Sequence, residues 1–318
     1  MMPINLAIDL SNNTCRRDFL RSVFAFFLLA RGKSCVAKTR ASEYFYAVDL
    51  RDGRLITTGQ TDIAPRIPPE IPPKIPHGPP GSIMKLVTAA AICEENLPAR
   101  LQTVNCKGAI VVDGVRYACR APHGKVNLLN AIGLSCNVFF GSSVKQISLS
   151  TLHNYVELFG LTATKELPPI GSPANPKVLD YALGLAKCTE TDALRLLRVA
   201  CAIAQKGKSL PFKNLVSEGD SLAPLRLDFG METWRILEGG MHIAARRGTA
   251  KQLDPDNVLH VAAKTGTAIH GKTYQSWVLG YFPFEEPKFA FCLRAPAGTS
   301  YDQAVPKARQ ILFARTWI

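Results

Sequence analysis

Along this chain the apolar positions change period several times, and each change marks an element. From Ile83 to Cys93 they are nearly continuous, at Ile83, Met84, Leu86, Val87, Ala89, Ala90, Ala91, Ile92 and Cys93. A run apolar all round predicts a buried central helix, opening at Ser82 after the irregular Pro79-Pro80-Gly81. The short runs Ala109–Val112 and Val115–Ala118, joined by Asp113-Gly114, predict a hairpin. Val126, Leu128, Leu129, Ala131, Ile132 and Leu134 follow with the spacing of one helical face. Towards the C-terminus the pattern becomes strand-like: Val261–Ala268, a turn at His270-Gly271-Lys272, Gln275–Phe282, a turn at Glu285-Glu286-Pro287, and Phe289–Leu293. Val305–Trp317 reads as a last helix packed on that sheet.

Three short polar boxes interrupt this pattern in a fixed order: Ser82-Ile83-Met84-Lys85, Ser135-Cys136-Asn137 and Lys264-Thr265-Gly266-Thr267. In the first, helical geometry sets Lys85 one turn from Ser82 on the same face. Lys85 is the one charge in three apolar turns, and burial favours the neutral amine, which can take the proton of a serine hydroxyl. The helix N-terminus also presents N–H groups to an oxyanion. A lysine snorkelling from an ordinary helix is the plainer alternative. In the second box, Ser135 and Asn137 are small polar residues between apolar segments, and are read either as helix caps or as a hydroxyl and an amide aimed at Lys85. In the third, a glycine inside a strand marks a close approach. Lys264 adds a fixed positive charge and Thr265 and Thr267 add hydroxyls, an edge suited to a ligand ending in a carboxylate. The N–H groups of Ser82 and Thr267 are paired here as an oxyanion hole.

In these three boxes and their order, the chain resembles the transpeptidase domain of penicillin-binding proteins, within the superfamily of penicillin-interacting serine enzymes. The likeness runs from about residue 43 to 318. Tyr46-Ala47-Val48-Asp49 with Asp52-Gly53-Arg54 is similar to the family's opening hairpin, and His123-Gly124-Lys125-Val126-Asn127-Leu128 to the approach to its second box. Ala182-Leu183-Gly184, the helical Leu194–Ala204, Gly240-Met241, Gly248-Thr249-Ala250 and Trp277–Tyr281 also fit.

The resemblance implies an α+β fold: a five-stranded antiparallel sheet flanked by helices, plus an all-helical lobe. The sheet lobe then combines residues 43–63 and 255–318, the helical lobe spans 82–250, and the site lies in the cleft between them. It further implies that Ser82 is the acylated nucleophile, Lys85 its general base, and Ser135 a proton shuttle. Asn137 would hold a substrate amide carbonyl, Lys264 and Thr265 with Gly266 would receive a terminal carboxylate, and Thr267 would complete the oxyanion hole. The implied activity is D,D-transpeptidase or D,D-carboxypeptidase action on peptidoglycan stem peptides ending in D-Ala-D-Ala, with β-lactams as inhibitors. A serine β-lactamase is the nearest alternative, although the chain has no Glu-x-x-Leu-Asn segment and carries Asn137 where carboxylated-lysine lactamases place an apolar residue. A penicillin sensor or a wall-synthesis scaffold is the non-enzymatic alternative. Two departures stand out: little chain precedes the first strand, where such proteins usually carry another domain, and the 42–318 core approaches the size of a β-lactamase.

Composition narrows the picture only in places. At 318 residues and 47 % hydrophobic, the chain can build a large core. Its net charge of +13 is scattered, with no basic helix or aromatic platform, so no nucleic-acid partner is expected; an anionic membrane surface or wall polymer suits it better. Half of residues 65–80 are proline, read as a stiff crossover to Ser82 or as a ligand for a proline-binding partner. Residues 1–41 read as an export or membrane-proximal segment. Arg16-Arg17 precedes the short apolar run Val23–Ala30, which falls far short of the ~20 residues of a spanning helix; an uncleaved amphipathic anchor is the alternative. Of nine cysteines, Cys106 and Cys119 bracket the predicted hairpin, as a disulfide or as free thiols. Cys93, Cys188, Cys201 and Cys292 lie in apolar runs and read as buried thiols. Cys136 lacks paired metal-ligand spacing and the six histidines form no ligand pattern in the sequence, so neither metal nor cofactor is expected.

Overall fold

A computed structural model describes residues 43–57, 76–95, 97–161, 178–186, 189–213, 223–314 and 317. The expected export segment, the proline run up to residue 75, and Cys188 lie outside these residues. The strands are β1 (Tyr44–Asp49), β2 (Leu55–Thr57), β3 (Val104–Cys106), β4 (Ala109–Val112), β5 (Val115–Ala118), β6 (Gly124–Val126), β7 (Ala262–His270), β8 (Thr273–Phe282) and β9 (Phe289–Ala295). Five of them form one antiparallel sheet in the order β2-β1-β9-β8-β7. β1 pairs with β9 from Tyr44↔Arg294 to Asp49↔Phe289, so the two ends of the described chain close a single sheet. This is the expected α+β architecture.

Both faces of the sheet are covered, and the period-2 alternation of the strands sorts their side chains between two cores. Tyr46, Val48, Trp277, Leu279, Tyr281, Ala290 and Cys292 join the core shared with the helices. Phe45, Ala47, Val278, Phe289, Phe291 and Leu293 face the other way, onto Ala304, Val305, Ala308 and Leu312. The last helix spans Val305–Phe313, shorter than the sequence pattern suggested, and is entered through a π-helical turn at Ser300–Ala304.

The helices that matter for chemistry stand on the first face. Met84–Glu95 is buried along Met84–Cys93, as its continuous apolar run requires. It does not begin at Ser82: a tight 3-10 turn, Gly81–Ile83, delivers the chain to it. Leu128–Leu134 crosses Met231–Arg247 closely, since a Cβ on Gly133 would lie 2.3 Å from Ile243 and one on Gly240 2.6 Å from Ile132. Val126 belongs to β6 rather than to this helix, and Asn127 caps it by accepting from the Asn130 N–H. Among the described residues no helix is long and apolar enough to cross a membrane.

Candidate active site

The turn carrying Ser82 is pressed against strand β7. Gly81 has φ +55, and a Cβ there would lie 2.5 Å from the Thr267 carbonyl oxygen, so no L side chain fits either the conformation or the space. Gly266 answers it from the strand: a Cβ at 266 would meet the Pro80 carbonyl at 2.4 Å. The Gly81 N–H donates to the Gly184 carbonyl at 3.2 Å, and the buried Trp277 Nε1–H donates to the Pro79 carbonyl at 2.9 Å. Ser82 is thereby half-buried beside Gly266 and Thr267. The Thr267 hydroxyl is engaged at Ser300, accepting from its N–H at 2.9 Å and lying 3.1 Å from its hydroxyl, so it anchors the π-helical turn.

The Lys85 amine is fully buried and has four oxygens in reach: Ser82 Oγ at 3.2 Å, Ser135 O at 2.8 Å, Ser135 Oγ at 3.0 Å and Asn137 Oδ1 at 2.5 Å. Two of these, the Ser135 carbonyl and the Asn137 amide oxygen, can only accept. A neutral amine has two N–H bonds and one lone pair. If the N–H bonds serve the two obligate acceptors, the lone pair is left facing the Ser82 and Ser135 hydroxyls. Burial lowers the Lys85 pKa to about 8, against a raising influence from Cys119 and Cys136.

Ser135 is the C-cap of Leu128–Leu134 through its backbone, but neither the Ser135 hydroxyl nor the Asn137 amide caps the following helix. Ser135 adopts the left-handed conformation at φ 54, between the helices Leu128–Leu134 and Asn137–Ser143. The N-cap of the second helix is Cys136, whose sulfur accepts from the Phe139 N–H at 3.4 Å. This leaves Ser135 Oγ free to sit between two amines, Lys85 at 3.0 Å and Lys264 at 3.2 Å. Asn137 is steadied from behind, its Nδ2 donating to the Ala118 carbonyl at 2.6 Å.

Lys264 departs from the fixed positive charge expected of it. It is fully buried, and burial first, then the neighbouring Lys85, push its pKa well below the usual lysine value. Its amine donates to the Thr265 carbonyl at 2.9 Å and to Ser135. Thr265 Oγ1 donates to Thr249 Oγ1 at 2.7 Å. The structure therefore gathers Ser82, Lys85, Ser135, Asn137, Lys264, Gly266 and Thr267 in one place.

Behind Asn137 the fold assembles a group that the sequence did not announce. Cys106 and Cys119 are free, their sulfurs 3.8 Å apart and not bonded, so the disulfide reading is not what the structure contains. Cys136 Sγ lies 3.9 Å from Cys119 Sγ, and His123 Nδ1 lies 3.5 Å from Cys106 Sγ. The expectation that the cysteines and histidines form no ligand set is therefore revised. It rested on spacing along the chain, whereas β3–β6 pairing (Cys106↔Gly124) and the β4–β5 hairpin fold distant positions together. The one close pair, Cys119 and His123 with three residues between, was the available signal.

Comparison with known proteins agrees with this geometry. The family described as penicillin binding protein transpeptidase domain matches residues 77–314. A solved chain of a peptidoglycan synthase complex is 20 % identical, with a TM-score of 0.70, over 87 % of this chain and 56 % of that one. Penicillin-binding protein PBP2 from Helicobacter pylori is 19 % identical, TM-score 0.68, over 86 % of this chain and 60 % of that one. The transpeptidase domain of penicillin-binding protein 3 from Burkholderia pseudomallei is 18 % identical, TM-score 0.66, over 92 % and 93 %. This chain thus spans 56–60 % of the first two structures and nearly all of the isolated domain. No curated protein matches it in sequence.

Proposed function

This chain belongs to the penicillin-binding protein transpeptidase domain family, and from that premise we propose that it is an acyl-serine D,D-peptidase of transpeptidase type. Its substrate is the D-Ala-D-Ala end of a peptidoglycan stem, and its work lies outside the cytoplasmic membrane. The observation that carries this reading is the buried Lys85 amine, 3.2 Å from Ser82 Oγ and 3.0 Å from Ser135 Oγ.

Neutral Lys85 takes the Ser82 proton as Oγ attacks the penultimate D-Ala carbonyl carbon. Negative charge builds on the carbonyl oxygen, which is received by the N–H groups of Ser82 and Thr267. As the C–N bond breaks, Ser135 Oγ delivers a proton to the departing nitrogen and is resupplied from Lys85, leaving free D-alanine and an ester on Ser82. The amine of a neighbouring stem, or water, then attacks the ester and restores Ser82. Asn137 keeps a second Nδ2–H beyond the one given to Ala118, which suits a substrate carbonyl. A terminal carboxylate arriving beside Lys264 and Thr265 restores the charge that burial disfavours on Lys264, so binding itself creates the ion pair.

The test is intact mass of the protein and its Ser82→Ala variant after mixing with a penicillin, followed over minutes to hours. The expected result is a stable adduct of one penicillin on the wild type and none on the variant. An adduct that vanishes within seconds while penicillin is consumed would make the protein a β-lactamase. No adduct on either would overturn the acyl-serine reading.

A further inference from the structure

The cluster of Cys106, Cys119, His123 and Cys136 lies outside the acyl-transfer chemistry, and its four ligand atoms all fall within 4.8 Å of one another. A tetrahedral zinc with Zn–S near 2.3 Å and Zn–N near 2.0–2.1 Å would set its sulfurs about 3.8 Å apart and its sulfur and nitrogen about 3.5 Å apart. Three of the six separations match this closely, at 3.8 Å for Cys106–Cys119, 3.9 Å for Cys119–Cys136 and 3.5 Å from Cys106 Sγ to His123 Nδ1, and the other three lie within 4.8 Å. We propose that these four residues form a structural metal site for a thiophilic divalent ion of the zinc class.

Three further features fit such an ion. Cys119 Sγ accepts the Asn137 N–H at 3.2 Å and Cys136 Sγ accepts the Phe139 N–H at 3.4 Å, the amide-to-sulfur bonds that steady metal thiolates. Cys106 and Cys136 are buried while Cys119 and His123 are half-buried, so the ion can enter from one side and still be enclosed. The donor set favours zinc over hard cations, and four protein ligands close the coordination sphere, which makes the site structural rather than catalytic. Loading releases the thiol protons to solvent and leaves thiolates on the ion.

The local fold explains why an ion belongs here. Residues 104–126 form two separate two-stranded ribbons, β3–β6 and β4–β5, and such ribbons are marginal in water without a staple. Each supplies a ligand at or beside a strand end: Cys106 closes β3, Cys119 follows β5 and His123 precedes β6. Cys136 is the middle residue of Ser135-Cys136-Asn137, so the ion would hold the left-handed turn that aims Ser135 and Asn137 at Lys85. This positioning consequence rests on the acyl-serine reading; the metal site does not.

The experiment is metal analysis of the full chain, purified reduced and without chelator, alongside Cys106→Ser and a cobalt-substituted sample. We expect one zinc per chain, shielding of the cluster thiols from a thiol reagent until a chelator is added, and the absorption of tetrahedral thiolate-bound cobalt. Cys106→Ser should weaken zinc binding by more than the about 10–100-fold that loss of an outer partner costs. The wild-type measurements stand even if the variant misfolds. A reduced, folded wild type that takes up no zinc, or peptide mapping that finds a Cys106–Cys119 disulfide in the metal-free protein as purified, would overturn the proposal. Stripping the ion should also slow penicillin acylation of Ser82, a readout that fails separately from metal content if the acyl-serine reading is wrong.

Discussion

The rate at which a penicillin acylates Ser82 should follow the neutral fraction of Lys85. With the Lys85 pKa lowered to about 8 by burial, that fraction is about 1 % at pH 6, about 9 % at pH 7, half at pH 8 and about 90 % at pH 9. An ordinary lysine would be neutral to only about 0.03 % at pH 7, so burial enriches the reactive amine about 300-fold there. The sign is fixed by which form reacts: deprotonation makes the base, so acylation rises about tenfold per unit below the inflection and levels above it. The groups facing Lys85 are Lys264 across Ser135 and the sulfurs of Cys119 and Cys136. Stopped-flow acylation from pH 6 to 10, with Ser82→Ala as the blank, measures the profile. A profile flat from pH 6 to 9, or one still climbing tenfold per unit at pH 10, would refute Lys85 as the base.

Two structural predictions follow from the contacts that seat the nucleophile. Gly266→Ala places a methyl about 2.4 Å from the Pro80 carbonyl, forcing the Ser82 turn off β7; acylation should fall about 100-fold for a displacement near 1 Å, and an unchanged acylation rate would show that this contact does not set the geometry. Trp277→Phe removes the buried Nε1–H bond to Pro79 and should cost about 1–3 kcal/mol in denaturant unfolding, whereas full retention of stability would mean the Pro79 carbonyl finds another donor.

Much of this molecule is local, and local features are legible. The i,i+3 relation puts Lys85 beside Ser82 once the segment is helical. Asp113 and Gly114, at φ 48 and 77, make the hairpin turn their types predict. Strands buried on both faces read as continuous apolar runs. Elsewhere a neighbour in space decides the local structure. Ser82 sits in a 3-10 turn because Gly184 and β7 hold Gly81 there, and Val126 pairs with Val104 as a strand instead of extending a helix.

The sequence by itself determined which chemistry is present: a serine and a lysine one turn apart, a Ser-Cys-Asn turn and a Lys-Thr-Gly-Thr strand, each specified by residue type and short spacing. Tertiary structure alone decided how these act on one another. Lys264 meets Ser135 across 129 residues of chain, and burial beside Lys85 disfavours the charge that an exposed lysine would carry. Three cysteines and a histidine spread over 106–136 become a single cluster through strand pairing. Side-chain type is written in the chain, whereas distance and solvent exposure, which set pKa values and ligand geometry, exist only once the chain has folded.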